Sequence, residues 1–232
     1  MTTDVRSAVI KQAMVSTVML AVMMVVFYAS AGRTDIPRSR LLFGVSFIHG
    51  VGSVFILARY NPELLAQRLT IRRKGSKAWD EVLMRASNLT VLLLVPAVAG
   101  LDVGRYGWSS LGVQYAVLGL IMMAASSALI NWAMIENPHF EPTVRIQEDR
   151  GHRVVSTGPY GVVRHPGYLS GILWASSIPL VIGSLYAFVP VVLYSALMIL
   201  RTHLEDRTLQ VELAGYTDYA EKVRYRLFPG VW

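Results

Sequence analysis

Apolar residues in this chain come in long blocks. Residues 8–31, 41–58, 82–101 and 111–135 are each nearly free of charge. A bilayer hydrocarbon core is about 30 Å thick and takes about 20 apolar residues to cross as helix, so each block predicts a membrane span. Pro96 falls inside the third and predicts a kink there. His49, Gly50 and Gly52 fall inside the second, where small residues suit close helix packing; His49 is read as a packing residue and not as a ligand. Two further apolar stretches, 169–183 and 185–200, are shorter. Sixteen residues of helix reach only about 24 Å, and Gly183-Ser184 between them is a turn signal. They predict a helical hairpin whose first arm bends at Pro179. Residues 201–213 contain no Gly or Pro, so the second arm should run on out of the membrane until Gly215 ends it.

The pattern predicts an all-α fold: a polytopic helical membrane protein with about six membrane helices, four spans plus the C-terminal hairpin. Composition agrees. Hydrophobic residues make up 53% of the chain, charged residues 16%, and mean hydropathy is +0.44, against about 25% charged in a typical soluble domain. The first block is interrupted by Lys11 and no small-residue cleavage motif follows it, so it reads as a retained span and not a signal peptide. The absence of cysteine excludes disulfides, thiolate nucleophiles and Cys-based metal sites; no metal is expected. The formal charge of +7 would point to nucleic acid in a soluble protein, but the aromatic–basic interleaving of single-strand binders is missing.

That charge is better read as topology. With six passes and both termini cytoplasmic, the inside segments are 1–11, 59–85, 137–168 and 201–232. Of the 22 Lys and Arg residues, only Arg33, Arg38, Arg40 and Arg105 fall outside them, a strong positive-inside bias. Arg72-Arg73-Lys74, in the basic loop within 59–85, reads as a topology and lipid-contact feature. Two long polar segments, 136–168 and 201–232, fall on the same side, and the hairpin returns them to each other.

Groups capable of chemistry are dense in both. Within residues 152–168, Gly158-Pro159 and His165-Pro166 push the residue before each proline out of the helical region, and Gly161 and Gly167 allow close backbone approach. An extended, sharply turned loop should result, entering a helix near Tyr168. Such a loop can wrap a small ligand; the pattern alone is equally compatible with an ordinary interfacial loop. In the second segment Arg201 and Glu205 lie one helical turn apart. On a surface this is a weak ion pair, but ionisable groups at membrane depth are functional candidates. A carboxylate suits a ligand amine and a guanidinium suits a carboxylate or phosphate.

The pattern His152-x-Val154-Val155-x-Thr157-Gly158-Pro159-Tyr160-x-x-x-Arg164-His165-Pro166-x-Tyr168 continues with Pro179-Leu180, Gly183-Ser184, Arg201-x-x-x-Glu205-Asp206-x-x-Leu209, Tyr216-x-x-Tyr219 and Arg226-x-x-Pro229. With these motifs, residues 147–232 resemble the isoprenylcysteine carboxyl methyltransferase family, in the wider group that includes phospholipid methyltransferases. Asn61-Pro62-Glu63-Leu64-Leu65 resembles its bacterial members. The resemblance implies S-adenosylmethionine as methyl donor, S-adenosylhomocysteine as product, and a lipophilic acceptor, an isoprenoid or lipid carboxylate. It implies a cytosolic cofactor loop formed by Gln147, His152, Arg153, Val154, Val155, Tyr160, His165 and Tyr168. Glu205 would take the donor's amino group and Arg201 the acceptor, and these two are the candidate catalytic residues. Asp206 departs from the family, where a second Glu is usual. The implied organisation is an N-terminal transmembrane part, 1–136, and a methyltransferase core, 137–232, with cofactor loop 145–168, hairpin 169–213 and C-terminal segment 214–232. The implied location is a bacterial-type inner membrane. Two other readings remain open: an NADPH-dependent enzyme like the membrane sterol and steroid reductases, and a non-enzymatic lipid-binding protein.

Overall fold

In the computed structural model, which describes residues 3–69 and 75–232, every apolar block is helical. The helices are α1 (Thr3–Ala31), α2 (Pro37–Tyr60), the short α3 (Pro62–Arg68), α4 (Ala78–Tyr106), α5 (Val113–Glu136), α6 (Pro166–Ile182), α7 (Phe188–Glu212) and the short α8 (Tyr216–Lys222). Five are long and apolar enough to cross a membrane: α1, α2, α4, α5 and α7; α6 is a shorter apolar helix. Among the described residues there is no strand. Val25, Ile48, Val113, Val189 and Val192 are exposed large apolar side chains, as befits a surface whose solvent is lipid. The protein is a polytopic helical membrane protein. Arg72-Arg73-Lys74 lie outside the described residues.

Pro96 does not break α4. It opens the α-helical stretch Val95–Gly100, directly after a π-helical segment, Thr90–Leu94. A proline offers no N–H to the carbonyl four residues back and its ring crowds that carbonyl. Residue 92 lies in the widened π turn, where the missing hydrogen bond and the crowding are accommodated. The hairpin has a short first arm and a long second one, as the run without Gly or Pro over 201–213 predicted. Its turn falls at Gly183 (φ +92°), whose N–H bonds to Pro179 O at 2.9 Å. The second arm is one helix of 25 residues running through to Glu212, about 37 Å at 1.5 Å per residue.

The bundle closes by backbone-to-backbone approach. The buried Gly100 on α4 faces α1 so closely that a Cβ there would stand 2.3 Å from Phe27 O. Buried Ser126 on α5 and Ser170 on α6 bond each other's carbonyls at 2.8 and 3.0 Å. Gly100→Ala should therefore lower the unfolding temperature of the detergent-solubilised protein, costing about 1–3 kcal/mol by overpacking. Gly52→Ala on α2, where nothing lies within 4 Å, should not; equal effects would count against this contact.

Polar groups segregate to the two ends. At one end Asp102, fully buried, accepts from Ser109 N (2.7 Å), Ser109 Oγ and Ser184 Oγ (2.5 Å each). There Arg38 donates to Leu111 O at 2.7 Å and Arg105 to Ala29 O at 3.1 Å. At the other end the start of α1 packs with Leu57, Leu64 and Leu65, Asn61 Nδ2 donates to Met134 O at 3.0 Å, and Arg164 meets the C-terminal segment. Both ends of the chain therefore sit at the second end, with the long polar segments.

Candidate functional site

The loop between α5 and α6 is braced chiefly by its own side chains. Buried Gln147 donates from Nε2 to His139 O (2.8 Å) and accepts at Oε1 from Arg150 Nη1 (2.8 Å). Glu141 receives Arg145 through two bonds of 2.9 and 3.0 Å. Arg150 also reaches Glu63 at 2.9 Å, so α3, which carries the Asn61–Leu65 motif, serves as a buttress. His152 Nδ1 accepts from Gln147 N at 3.3 Å, which leaves Nε2 as the protonated nitrogen. Burial, reinforced by His139 and Arg145 nearby, pushes the His152 pKa down to about 4, so the imidazole is neutral at pH 7. Its ring lies 4.6 Å from that of His139.

Tyr160 follows the Gly158-Pro159 turn and is buried among Val154, Val155, Leu209, Tyr216 and Tyr219. Burial raises its phenol pKa, so it stays protonated. Asn137 Nδ2 donates to its hydroxyl at 3.2 Å and Tyr219 OH to its carbonyl at 2.7 Å. Beyond it the chain pairs with the C-terminal segment: Arg164 N to Tyr225 O and His165 N to Arg226 O, both 2.9 Å. The α6 helix then starts at Pro166, as the proline signals required.

Asp206 is the hub of this end. Fully buried, it accepts Arg164 through both oxygens (2.7 and 2.9 Å), Arg226 Nε (2.8 Å), Tyr216 OH (3.0 Å) and Gln210 Nε2 (2.8 Å), with His165 Nε2 at 3.2 Å. The residue that looked like a minor departure in the sequence is the anion that holds loop, hairpin and C-terminal segment together.

At the preceding position, Glu205 Oε2 accepts a hydrogen bond from Tyr168 OH. Among the described residues no group bonds its other oxygen. Arg201 does not pair with Glu205, although the two lie one helical turn apart. Its Nε and Nη2 go to Asp80 at 2.6 and 3.2 Å, its Nη2 also to Pro142 O at 2.5 Å, and the guanidinium stands 5.0 Å from the Tyr168 ring centre. A buried carboxylate from another helix outcompetes a neighbour on the same one because the pair is held by several elements at once. Asp80 and His139 escaped sequence reading. The only signal for Asp80 was the acidic pair Asp80-Glu81 ahead of an apolar block; Glu141 and Arg145 were visible in principle as an i, i+4 pair.

These side chains face one cavity of about 1360 Å³. Gln147, His152, Arg153, Val154, Val155, Tyr160, His165, Tyr168, Arg201 and Glu205 all line it; Arg153 is exposed, while the Gln147 amide is taken up in bracing the loop. The opposite wall comes from α1, with Met14, Val15 and Met19, and from Met84 and Asn88 of α4. The volume exceeds the roughly 300–1,000 Å³ that one drug-sized ligand occupies. The wall from the loop and α7 is charged and hydrogen-bonding; the wall from α1 and α4 mixes Met14, Val15, Met19 and Met84 with Lys11, Gln12 and Asn88.

Fold and cavity define a class: a polytopic membrane protein with a large cavity lined by its polar loop and by membrane helices. Residues 117–211 match the model of the isoprenylcysteine carboxyl methyltransferase (ICMT) family, a likeness that covers less than half of the chain. The match begins upstream of the motif-bearing segment and stops short of Tyr216, Tyr219 and Arg226. Among solved structures, the eukaryotic intramembrane Ras methyltransferase ICMT is similar, with a TM-score of 0.53 and 15% identity over 88% of this chain and 71% of that one; this is a likeness of fold. No curated protein matches the chain.

Proposed function

We propose that this protein transfers a methyl group from S-adenosylmethionine to a lipophilic carboxylate, an isoprenoid or lipid acid. The observation that carries the reading is a large cavity whose loop-side wall is charged and whose membrane-helix wall carries Met14, Val15 and Met19, with room for two ligands at once. The charged wall suits the donor. Glu205 has an oxygen free for an ammonium group, neutral His152 offers an Nε2–H, and Val154 and Val155 offer an apolar wall. When bound, S-adenosylmethionine supplies an electrophilic methyl on a sulfonium whose sulfur keeps the electron pair, leaving S-adenosylhomocysteine as product.

A carboxylate acceptor is already deprotonated, so the protein needs no general base. Arg201 keeps Nη1 free to orient the acceptor, while Met14, Val15 and Met19 hold its apolar tail and exclude water. Tyr168 fixes the Glu205 carboxylate, and the Asp206 network fixes the loop end at Arg164 and His165 from which the helix bearing Tyr168 starts. The positive-inside distribution supports placing this end, and both termini, in the cytoplasm of a bacterial-type inner membrane.

The test is a thermal-shift titration of the purified protein with S-adenosylhomocysteine and, separately, NADPH, followed by radiolabelled methyl transfer into membrane lipid extract. The expected result is stabilisation by S-adenosylhomocysteine alone and a labelled product whose methyl is released by alkali, as from an ester. Stabilisation by NADPH alone would favour a reductase. Stabilisation by neither would favour a non-enzymatic lipid-binding role.

A further inference from the structure

The family match starts at residue 117, yet a carboxylate that shapes the charged wall comes from well before it. Asp80 stands in the first turn of α4 and is fully buried. It accepts Arg201 through both oxygens and Val144 N at 2.8 Å. The segment beside it is sewn to the same place: Lys77 N donates to Val144 O at 3.1 Å, Ser76 Oγ to Thr143 Oγ1 at 3.1 Å, and Arg201 Nη2 to Pro142 O. Three elements therefore meet at one guanidinium: the start of α4, residues 142–144 and α7.

Two consequences follow for Arg201. Its Nε and Nη2 are committed, and only Nη1 has no partner among the described residues. Its charge is compensated at 2.6 Å by an anion that water does not reach. We propose that Asp80 is a positioning residue for the methyl acceptor, acting through Arg201: it aims the one free nitrogen at the acceptor carboxylate and tempers the guanidinium so that this carboxylate stays nucleophilic. This deepens the function proposed above and rests on it. In the transfer the acceptor oxygen forms its bond to the methyl carbon as the carbon–sulfur bond breaks, the electron pair stays on sulfur, and no proton moves. The acceptor therefore loses its negative charge on the way to the transition state. An uncompensated arginine would hold the ground-state anion more strongly than the transition state, which tightens binding and slows transfer. The neutralised pair with one free donor orients the acceptor without that penalty.

The experiment compares wild type, Asp80→Asn, Arg201→Met and the double variant in detergent. Acceptor and donor KM, and kcat, are read with a prenylated cysteine carboxylate and with lipid extract as acceptors. Acceptor binding without donor, and S-adenosylhomocysteine binding, are read by thermal shift. Asp80→Asn should lower kcat by about tenfold or more while acceptor KM and acceptor Kd fall. Donor affinity should not move, and the double variant should match Arg201→Met to within about twofold, since a residue acting only through another adds nothing once that other is gone. An Asp80→Asn that raises acceptor KM, shifts donor affinity, or multiplies with Arg201→Met overturns the proposal. Should Asp80→Asn not fold, Arg201→Lys serves. Its ammonium keeps the pair with Asp80 but lacks the aimed spare donor, so acceptor KM should rise about tenfold or more at unchanged donor affinity; an unchanged acceptor KM overturns the proposal. Wild-type protein that transfers no methyl to either acceptor defeats the underlying function itself, a result distinct from an active wild type with additive variants.

Discussion

Glu205→Gln should remove donor binding while leaving the fold intact. A glutamine carbonyl can still accept the Tyr168 hydroxyl that Glu205 accepts now, so the local packing survives; only the charge is lost. Breaking one hydrogen-bonded charge contact in a partly desolvated site costs about 3–4 kcal/mol, or roughly 10²–10³-fold in affinity. The measurement is S-adenosylhomocysteine affinity by thermal shift or calorimetry, beside far-ultraviolet circular dichroism to show that the helices remain. Wild-type affinity in Glu205→Gln would refute Glu205 as the ammonium ligand. Weaker acceptor binding with normal donor binding would move the residue to the other half of the cavity.

The second large effect is on stability. Asp206→Asn leaves Arg164 and Arg226 at one end of the bundle without their shared anion. Arg164 is almost fully buried and also ties Val223 O and Arg224 O at 2.7 and 3.0 Å, so it cannot swing into water without unpinning the C-terminal segment. Removing one partner of a buried ionic network costs about 3–5 kcal/mol, which for a chain of this size is on the order of 10 °C in unfolding temperature. Asp206→Glu keeps the charge and should lose less, since its cost is only the extra methylene in a site without spare volume. An Asp206→Asn protein as stable as wild type would show that the arginines find other partners, and that Asp206 is not the hub of this end.

The two variants separate two kinds of legibility. Glu205 could be singled out from sequence because its signal is local: a carboxylate one turn from an arginine, just past an apolar block, inside a motif with recognisable order. Asp206, its neighbour, carries the larger structural load and gave no such signal. Its partners are spread over positions 164, 165, 210, 216 and 226, and no spacing rule links positions that only the hairpin brings together. Arg201 shows the same limit. Spacing offered only Glu205 as a possible partner, whereas the folded chain supplies Asp80 from 121 positions away.

Helices, spans and the return of the two polar segments to one end were set by the sequence alone, because lipid imposes a rule that is local along the chain. Every backbone polar group must be satisfied within its own segment, so an apolar block of sufficient length becomes a helix whatever surrounds it. The turn at Gly183 and the helix start at Pro166 are local for the same kind of reason, since they depend on the φ each residue can adopt. The tertiary structure decided everything that depends on which side chains meet: the π turn that lets α4 pass Pro96, the pairing of Arg201 with Asp80, the Asp206 hub, and the cavity itself. A buried charge takes whichever opposite charge packing delivers with the best geometry. That choice is made between helices, where sequence distance has no bearing on spatial distance.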